Sequence, residues 1–403
     1  MSLDQSISAP QQRIHVLDAL RGFSLLGVIL MHMLQHFGVY SGVRPEVPLF
    51  PVLDSAIQWL SQHVIMGRFI NIFAFLFGLS FFIQMDRASK KGVDFRLRFL
   101  WRMVILFAIG IFGNSFFTAD ILPIYAFFGL IMVALFPLKN WMLLVIAVLL
   151  LVGTPRFVKV GYDKMTKTEQ VENTPQARPA PPTGESVKPT FINSAKENLT
   201  TRFQGKLNYQ FGLNGRGYVT MALFILGLVV GRLRFFEELD IHKKRTLLLF
   251  AGFAVGSFIL GSIPKEEVSY RMLLQGNVTP SMLVSMALKD IHTVVFSGAL
   301  ALGFILLYQM KNAGKYLEIL TPYGRMGLTN YVTQSIVGGT LFAMWGFGEI
   351  FGAWGTTEVF FLGLAIYALQ VVVSIFWMKH FRYGPFEWFW RSATYLKIQP
   401  FRK

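Results

Sequence analysis

Long runs of apolar residues constrain this chain more than any other feature of its sequence. A helix needs about 20 mostly apolar residues to cross the roughly 30 Å hydrocarbon core of a bilayer. Ten segments meet this requirement: 17–39, 66–85, 97–117, 120–138, 140–155, 216–236, 245–263, 290–310, 324–348 and 358–380. Because a backbone in lipid must satisfy its own hydrogen bonds, the sequence predicts an all-α, polytopic integral membrane protein with about ten transmembrane helices.

The composition excludes an ordinary soluble protein. Hydrophobic residues make up 53% of the 403 residues and charged residues only 15%, whereas a soluble domain carries about 25% charged residues because its surface requires them. The chain has no Cys, which excludes disulfides, thiolate nucleophiles and Cys-based metal sites. The first apolar segment begins with Asp18 and Arg21 and has no small-residue cleavage site, so it is predicted to be a membrane helix rather than a signal peptide.

The distribution of Lys and Arg predicts the orientation in the membrane. With the N-terminus in the cytoplasm, the inner segments hold 23 of these residues and the short outer segments hold five. Because positive charge near the ends of spans favours the cytoplasmic side, both termini are predicted to be cytoplasmic. The net charge of +16 is therefore attributed to topology and to contact with anionic membrane lipid, not to a nucleic-acid partner.

A long polar stretch at 156–215 divides the chain. It separates an N-terminal half with five predicted spans, 1–155, from a C-terminal half with five spans and a cytoplasmic tail, 216–403. The centre of the stretch is rich in Pro and is predicted to be an irregular outer loop. Its last part, 191–211, is predicted to form a surface helix.

Three shorter patterns predict local contacts. The small-xxx-small motifs GLVVG at 227–231 and GFAVG at 252–256 predict close helix packing, either within a monomer or in a homodimer. The segment 45–65 is amphipathic and is predicted to lie at the membrane surface.

Ionisable side chains inside the spans are the candidates for function, because they are costly to place in a bilayer. In the first helix Asp18 and Arg21 are three residues apart and are predicted to pair. Arg21 and His32 are eleven residues apart, which returns to nearly the same helix face about 16 Å further along the axis. His32 and His36 have the spacing of two metal ligands, but no third ligand is nearby in sequence, so no metal site is predicted.

The other intramembrane polar residues fall into two groups once the orientation is set. The outer group is expected to share a vestibule with His32, and the inner group is expected to lie near Arg21. The outer group comprises Arg68, Asn71, Asp120, Tyr125, Asp290 and His292. The inner group comprises Asp18, Arg325, Asn330, Gln334, Glu387 and Arg391.

Four stretches of the chain are distinctive: RIHVLDALRGFSLLGVILMH at 13–32, ADILPIYAFFG at 119–129, YGRMGLTNYVTQS at 323–335 and GPFEWFWRSATY at 384–395. They resemble the YeiB family of bacterial inner-membrane proteins, which carry a domain of unknown function. The resemblance covers nearly the whole chain except the 156–215 stretch. It implies a multi-pass protein of the bacterial cytoplasmic membrane. It also implies acyl transfer to an envelope acceptor, because the family is grouped with transmembrane acyltransferases such as the heparan-glucosaminide and envelope O-acetyltransferases.

Within that resemblance, Arg21 and His32 stand in the Arg-x10-His spacing of the envelope O-acetyltransferases, in which the His is essential. The chain departs from the YeiB pattern at two places. That pattern often has Asn near the end of the first apolar run, where this chain has His32, and it has a His where this chain has Asn114.

The first functional hypothesis is an acyltransferase that uses cytoplasmic acyl-CoA as its donor. The chemistry needs a base that takes a proton from an acceptor hydroxyl or amine, and an imidazole suits this role at neutral pH. The predicted catalytic residues are His32 as the base and Asp120 or Asp290 as the group that orients it.

The same hypothesis predicts an acyl-CoA site at the cytoplasmic end of the first helix. Cations bind the phosphates of CoA through charge-assisted hydrogen bonds, and amides can donate to the developing oxyanion. The predicted residues of this site are Arg21, Asp18, Arg325, Arg391, Asn330 and Gln334. Two alternatives stay open: a transporter, flippase or proton-conducting protein that uses the same His and Asp residues as a relay, and a lipid-binding scaffold without turnover.

Overall fold

A computed structural model describes residues 14–38, 48–166, 190–237, 239, 243–269, 272–273 and 278–403. These parts of the chain consist of α-helices and their connections, with one isolated β-bridge between Phe381 and Arg402. The Pro-rich centre of the predicted outer loop, at 167–189, lies outside the described residues.

The helices are numbered in chain order. The first nine are α1 His15–Leu34, α2 Pro51–Leu60, α3 Arg68–Ser89, α4 Arg96–Phe116, α5 Leu122–Leu135, α6 Asn140–Leu151, α7 Thr154–Thr166, α8 Phe191–Leu199 and α9 Thr201–Phe211. They are followed by α10 Arg216–Arg232, α11 Lys243–Ser262, α12 Pro280–Gln309, α13 Lys311–Leu317, α14 Leu320–Arg325, α15 Gly327–Phe342, α16 Gly348–Phe351, α17 Thr356–His380 and α18 Pro385–Tyr395.

Several of these helices are long and apolar enough to cross a bilayer. In the described parts of the chain six segments qualify, namely α1, α4, α11, α12, α17 and the segment Pro51–Ser89 that contains α3. The number rises to eight if the bent pair α6–α7 and the bent segment Phe191–Arg232 each count as one span. The chain is therefore an all-helical, multi-pass membrane protein, but the predicted number of ten spans is not confirmed. At the predicted fourth and ninth spans, α5 and α15 have only 14 and 16 residues.

Helix α1 lies at the centre of the bundle. In its most apolar window 83% of the residues are buried, compared with 11% in α11. It packs against α3, α14, α15 and α17. Glycines permit the close approach of α14, since a Cβ atom on Gly324 would lie 1.7 Å from the backbone oxygen of Asp18, and one on Gly22 would lie 2.8 Å from that of Leu320. The first and third of the four stretches that resemble the YeiB family, 13–32 and 323–335, are thus in direct backbone contact. We call these four stretches the signatures.

Helices α3 and α10 form a second glycine-mediated contact. A Cβ atom on Gly78 would lie 2.0 Å from the backbone oxygen of Phe224, and one on Gly227 would lie 2.2 Å from that of Phe75. The GLVVG motif therefore marks a contact within the monomer, and it joins the two predicted halves. In the GFAVG motif, by contrast, a Cβ atom on Gly252 would have no described heavy atom within 4 Å.

The predicted surface helix at Phe191–Phe211 consists of two helices, α8 and α9, which dock onto α4 and α10 respectively. Asn114 of α4 donates a hydrogen bond to the backbone oxygen of Asn198 at 3.0 Å. The ammonium group of Lys206 is buried and donates to the side chain of Asn114 at 2.7 Å and to the backbone oxygen of Asp120. These buried polar contacts make the segment part of the bundle rather than an isolated surface element.

Candidate functional site

A cavity of about 250 Å³ lies at the end of the bundle where α1 begins and α3 ends, which we call the basic end. Its polar lining consists of Arg21, Arg102, Arg325, Ser80, Gln84 and Glu387. Its apolar lining includes Phe73, Phe77, Leu106, Leu122 and the rings of Tyr125 and Tyr331. The cavity is therefore amphipathic, since guanidinium groups and aromatic and aliphatic groups line it together.

Arg21 is held in place through both terminal nitrogens of its guanidinium. Its Nη1 donates to Oδ1 of Asp18 at 2.8 Å, and its Nη2 donates to the hydroxyl of Ser80 at 3.1 Å. The predicted pairing of Asp18 and Arg21 is confirmed. Because the Asp18 side chain is buried, the ion pair holds the Arg21 guanidinium at the cavity wall and keeps it from turning toward solvent.

Arg102 lines the cavity, although its sequence position identifies it only as one of the 23 Lys and Arg residues of the predicted inner segments. Its guanidinium lies 3.7 Å from the ring centroid of Trp390, and the indole N–H of Trp390 donates to the backbone oxygen of Arg102 at 2.8 Å. Stacking on an aromatic ring uses the face of a guanidinium and keeps its N–H edge available for an anion. The signal in the sequence was the position of Arg102, which lies nearly two turns inside α4 rather than at its start.

Two further predicted cations have different positions. Arg325, the last residue of α14, lines the cavity. Arg391 of α18 lies among aromatic rings, 5.1 Å from the centroid of Tyr383 and 5.6 Å from that of Tyr395, and it does not line the cavity. Of the residues predicted to bind acyl-CoA, Arg21 and Arg325 therefore line the cavity. Asp18 does not line it and holds Arg21 in place.

Glu387 joins the third and fourth signatures. Its Oε1 accepts hydrogen bonds from the backbone N–H groups of Leu328 at 2.7 Å and Thr329 at 3.0 Å, and its Oε2 accepts from the hydroxyl of Thr329 at 2.5 Å. A carboxylate at this place caps the N-terminus of α15 and is favoured by the helix dipole. Burial raises the pKa of Glu387, whereas the hydrogen bonds from Thr329 and Leu328 lower it.

Removal of this cap is expected to destabilise the basic end. We expect Glu387→Ala to lower the free energy of unfolding by about 3 kcal/mol, because three donors at the start of α15 lose their acceptor. Thermal unfolding of the purified protein in detergent, followed by Trp fluorescence, measures the effect. The matched control is Glu349→Ala, which removes an exposed carboxylate and should leave Tm unchanged. Equal Tm values for the two variants would contradict the capping role.

The amides of Asn330 and Gln334 belong to a buried network and do not line the cavity. The Nδ2 of Asn330 donates to the backbone oxygen of Tyr323 at 3.0 Å and to the hydroxyl of Ser374 at 3.1 Å. The Nε2 of Gln334 donates to the hydroxyl of Tyr323 at 2.8 Å. Helices α14 and α17 thus supply the partners of these amide nitrogens, and the role of Asn330 and Gln334 as oxyanion donors in the acyl-CoA site stays a prediction.

His32 is buried in an aromatic environment. Its ring centroid lies 4.6 Å from that of Phe117 and 5.5 Å from that of Phe37. Neither imidazole nitrogen has a hydrogen-bond partner among the described residues, and His32 does not line the cavity. None of the polar groups predicted to surround His32 is hydrogen-bonded to its imidazole in the described part of the chain, and the vestibule stays a prediction.

The two carboxylates that were expected to orient His32 are engaged elsewhere. Asp120 accepts a hydrogen bond from the hydroxyl of Ser335 at 3.2 Å. The Oδ2 of Asp290 accepts from Nη2 of Arg156 at 2.6 Å. Arg156 lies in the 156–215 stretch outside the predicted spans, so its pairing with a predicted membrane carboxylate is visible only in the folded chain. The expected hydrogen bond to the imidazole is not made by either carboxylate, and the catalytic assignment of His32, Asp120 and Asp290 stays a prediction.

The fold and the cavity define an all-helical, multi-pass membrane protein with a cationic, amphipathic cavity at one end of its bundle. Residues 230–397 match a family described as "Protein of unknown function (DUF418)". The chain is 30% identical over 421 aligned positions to the uncharacterized protein YxaH of Bacillus subtilis (strain 168), and the match covers 97% of this chain and 96% of YxaH. The chain therefore belongs to the DUF418 family.

Two other relatives cover a similar share of the chain. An uncharacterized 39.9 kDa protein in the amylase 3'region of Bacillus acidopullulyticus is 28% identical over 402 positions, which cover 97% of this chain and 96% of that protein. The uncharacterized protein YeiB of Escherichia coli (strain K12) is 23% identical over 401 positions, which cover 95% of this chain and 96% of YeiB. The predicted membership of the YeiB family is confirmed.

Proposed function

We propose that this protein is an acyltransferase-like enzyme of the bacterial cytoplasmic membrane, which takes an acyl group from acyl-CoA at the basic end and passes it to an acceptor exposed to the envelope. The observation that carries the proposal is the amphipathic cavity, with Arg21, Arg102 and Arg325 beside the rings of Tyr125 and Tyr331. Guanidinium groups bind phosphates through charge-assisted, bidentate hydrogen bonds. The apolar lining suits the acyl chain and the pantetheine arm.

The size of the cavity limits which part of the donor it holds. Ligand pockets commonly have volumes of about 300–1,000 Å³, and this cavity has about 250 Å³. It therefore accommodates the acyl-pantetheine part, while the nucleotide part stays at the mouth beside the arginines. Binding of radiolabelled acetyl-CoA to the purified protein, measured by equilibrium dialysis against free CoA and phospholipid as competitors, tests this directly. Absence of competition by free CoA would overturn the assignment of the arginines to the donor.

The transfer step assigns a role to His32. The acceptor oxygen or nitrogen attacks the thioester carbonyl, a new ester or amide bond forms, the bond to sulfur breaks, and His32 takes the proton that the acceptor loses. The CoA thiolate that leaves is reprotonated from the same imidazole or from solvent. Because His32 does not line the cavity and Phe37 and Phe117 cover its ring, the role requires that these two side chains move and that the thioester end of the donor extends from the cavity toward His32.

We expect His32→Ala to abolish acyl transfer and to leave acyl-CoA affinity nearly unchanged, because His32 does not line the cavity. Single-turnover transfer from labelled acetyl-CoA and equilibrium dialysis measure the two effects. His32→Phe, which keeps the aromatic packing, should lose transfer to the same degree and separates chemistry from folding. His36→Ala serves as the matched control, since His36 contacts the backbone oxygen of Trp354 at 3.0 Å, and a smaller loss is expected. Wild-type turnover in His32→Ala would refute the general-base role.

The proposed direction of transfer requires both termini in the cytoplasm, as the excess of Lys and Arg in the inner segments suggests. We expect a green fluorescent protein fused after Lys403 to fluoresce and an alkaline phosphatase fused there to be inactive. The same two reporters inserted within 167–189 should give the opposite result. Active phosphatase at the C-terminus would reverse the orientation and place the basic end outside.

A second candidate function is the movement of an anionic amphiphile across the bilayer. One observation favours it: polar groups continue beyond the deep side of the cavity, because the hydroxyl of Tyr125 donates to the backbone oxygen of Ile70 at 3.5 Å and the adjacent Asn71 accepts from Arg216. Flux of a labelled anionic lipid between the leaflets of reconstituted vesicles, in the absence of acyl transfer, would favour this candidate. Binding without transfer or flux would favour a lipid-binding scaffold.

A further inference from the structure

Three arginines gather at the distal end of the bundle, which we define as the end where α3 and α10 begin. Arg68 and Arg216 are the first residues of these two helices, and Arg156 lies in the first turn of α7. Asn71 accepts a hydrogen bond from Arg216, and Arg156 donates to Asp290 at 2.6 Å. We call these five residues the distal cluster.

The distal cluster carries more positive than negative charge. Asp290 is paired with Arg156. Arg68 donates to the backbone oxygens of Gln62 and Met66 at 2.6 and 2.8 Å, and the Arg216 side chain donates to Asn71 and to a backbone oxygen. Within the described ranges, three guanidinium groups thus share one carboxylate, and the remaining partners of Arg68 and Arg216 are neutral.

Arg156 is the most deeply buried of these cations. Its side chain is only 2% exposed, and its Nε and Nη1 have no hydrogen-bond partner among the described residues. A buried donor without a partner destabilises the folded chain, and more so when it is charged. The guanidinium packs against two glycines. A Cβ atom added to Gly215 would lie 2.6 Å from Nε of Arg156, and a Cβ atom added to Gly153 would lie 3.0 Å from Nη1. The cluster therefore contains a buried cation with two unpaired donors, each packed against a glycine.

Helix N-termini add to the positive potential. Helices α3, α7 and α10 have 22, 13 and 17 residues, and all three begin at the cluster. The N-cap residues of α3 and α10 are Gly67 and Gly215, which have φ angles of 79° and 64° and supply no side-chain cap. The first N–H groups of these helices are thus not covered by a capping side chain, and helix N-termini of this kind bind anions.

We propose that the distal cluster is a binding site for a phosphate-bearing anion, either the phosphodiester of a lipid headgroup or a soluble phosphate compound. Arg216 and Arg68 supply guanidinium donors, the N-termini of α3 and α10 supply backbone donors, and Arg156 supplies the buried charge. The carboxylate of Asp290, 21% exposed, holds Arg156 in place and leaves the cluster cationic. The anion site does not depend on the transfer function proposed above.

The test measures binding of two probes to the full chain in neutral detergent. Inorganic phosphate is titrated at constant ionic strength against chloride, and phosphatidylglycerol in mixed micelles is compared with phosphatidylcholine. We expect at least one probe to raise Tm in a saturable manner, which yields its Kd. A response to phosphatidylglycerol, with or without a response to phosphate, identifies a lipid headgroup, and a response to phosphate alone identifies a soluble phosphate compound. No saturable response to either probe overturns the proposal.

Variants assign the response to the distal cluster. Arg216→Gln is expected to weaken phosphate binding at least tenfold, and Asp290→Asn is expected to strengthen it several-fold, because it removes the one opposing charge. The gain in Asp290→Asn keeps the test informative even if Arg216→Gln does not fold. Arg202→Gln, which removes an exposed charge on α9, should bind like wild type.

The cavity and the distal cluster are separated by one further comparison. Arg102→Gln, at the basic end, should weaken acyl-CoA binding at least tenfold and retain the response to phosphate. If the response to phosphate is lost in Arg102→Gln and kept in both distal variants, the distal site is refuted. If acyl-CoA does not bind at all while the distal variants behave as expected, the donor assignment fails and the distal site stands.

Discussion

Gly324→Ala is expected to abolish stable folding of this protein. The added Cβ would lie 1.7 Å from the backbone oxygen of Asp18 and 2.9 Å from the backbone nitrogen of Gly22. Both contacts are with backbone atoms of the central helix, so no side-chain rotation relieves them and α14 must move away from α1. We expect a loss of about 3 kcal/mol or more in the free energy of unfolding, and a fall in the yield of monodisperse protein.

The matched control is Gly252→Ala on α11. A Cβ atom there has no described heavy atom within 4 Å, and Ala is a better helix former than Gly. Tm in detergent and the elution profile in size-exclusion chromatography should be unchanged or improved for this control. If Gly324→Ala elutes and unfolds like Gly252→Ala, the close packing of α1 on α14 is not a requirement of the fold.

Arg102→Gln is expected to weaken acyl-CoA binding at least tenfold, and the double variant with Arg21→Gln about a hundredfold. Each substitution removes a cation from the cavity lining, and a hydrogen bond to a charged group contributes about 1.5–3 kcal/mol, of which about 1.4 kcal/mol corresponds to a factor of ten. Arg21→Lys should also lose affinity, because a single ammonium group cannot reproduce the fork that joins Asp18 and Ser80. Equilibrium dialysis with labelled acetyl-CoA measures these effects.

Arg98→Gln is the matched control for this series. Arg98 lies one turn before Arg102 on α4, is exposed, and stacks 5.2 Å from the ring centroid of Tyr395 without lining the cavity. The substitution makes the same change in net charge, so it isolates the effect of position from that of long-range electrostatics. An equal loss of affinity in Arg98→Gln would show that the general positive charge of the basic end, and not the cavity, attracts the ligand.

Much of the fold follows from local sequence properties. An apolar run long enough to span a bilayer predicts a helix whichever helices surround it, because a backbone in lipid must form its hydrogen bonds within its own segment. The pairing of Asp18 with Arg21 was predictable for a similar reason, since both residues lie on one helix at a spacing that brings them together. The family resemblance identified the signatures that meet around the cavity, and the comparison with known proteins agrees with it.

The partners of the buried polar residues were not predictable in the same way. Asn330 and Gln334 share a helix face, but Tyr323 and Ser374 come from other helices, and no local pattern states which helices will be neighbours. The same holds for Asp290, whose partner Arg156 lies more than a hundred residues away. From its sequence position, Arg102 is one of the basic residues near the end of a span that indicate orientation in the membrane. Only the folded chain shows that it stacks on Trp390 and lines the cavity.

The sequence by itself determined that this protein is an all-helical, multi-pass membrane protein of the YeiB family, with its ionisable residues concentrated in a few helices. The tertiary structure alone decided which of those residues meet: it placed Arg21, Arg102 and Arg325 around one cavity, enclosed His32 between Phe37 and Phe117, and paired Asp290 with Arg156. The physical reason is the range of the interactions. Helix formation and membrane insertion depend on consecutive residues, whereas a site depends on the close approach of distant helices, which glycines such as Gly324 and Gly227 permit.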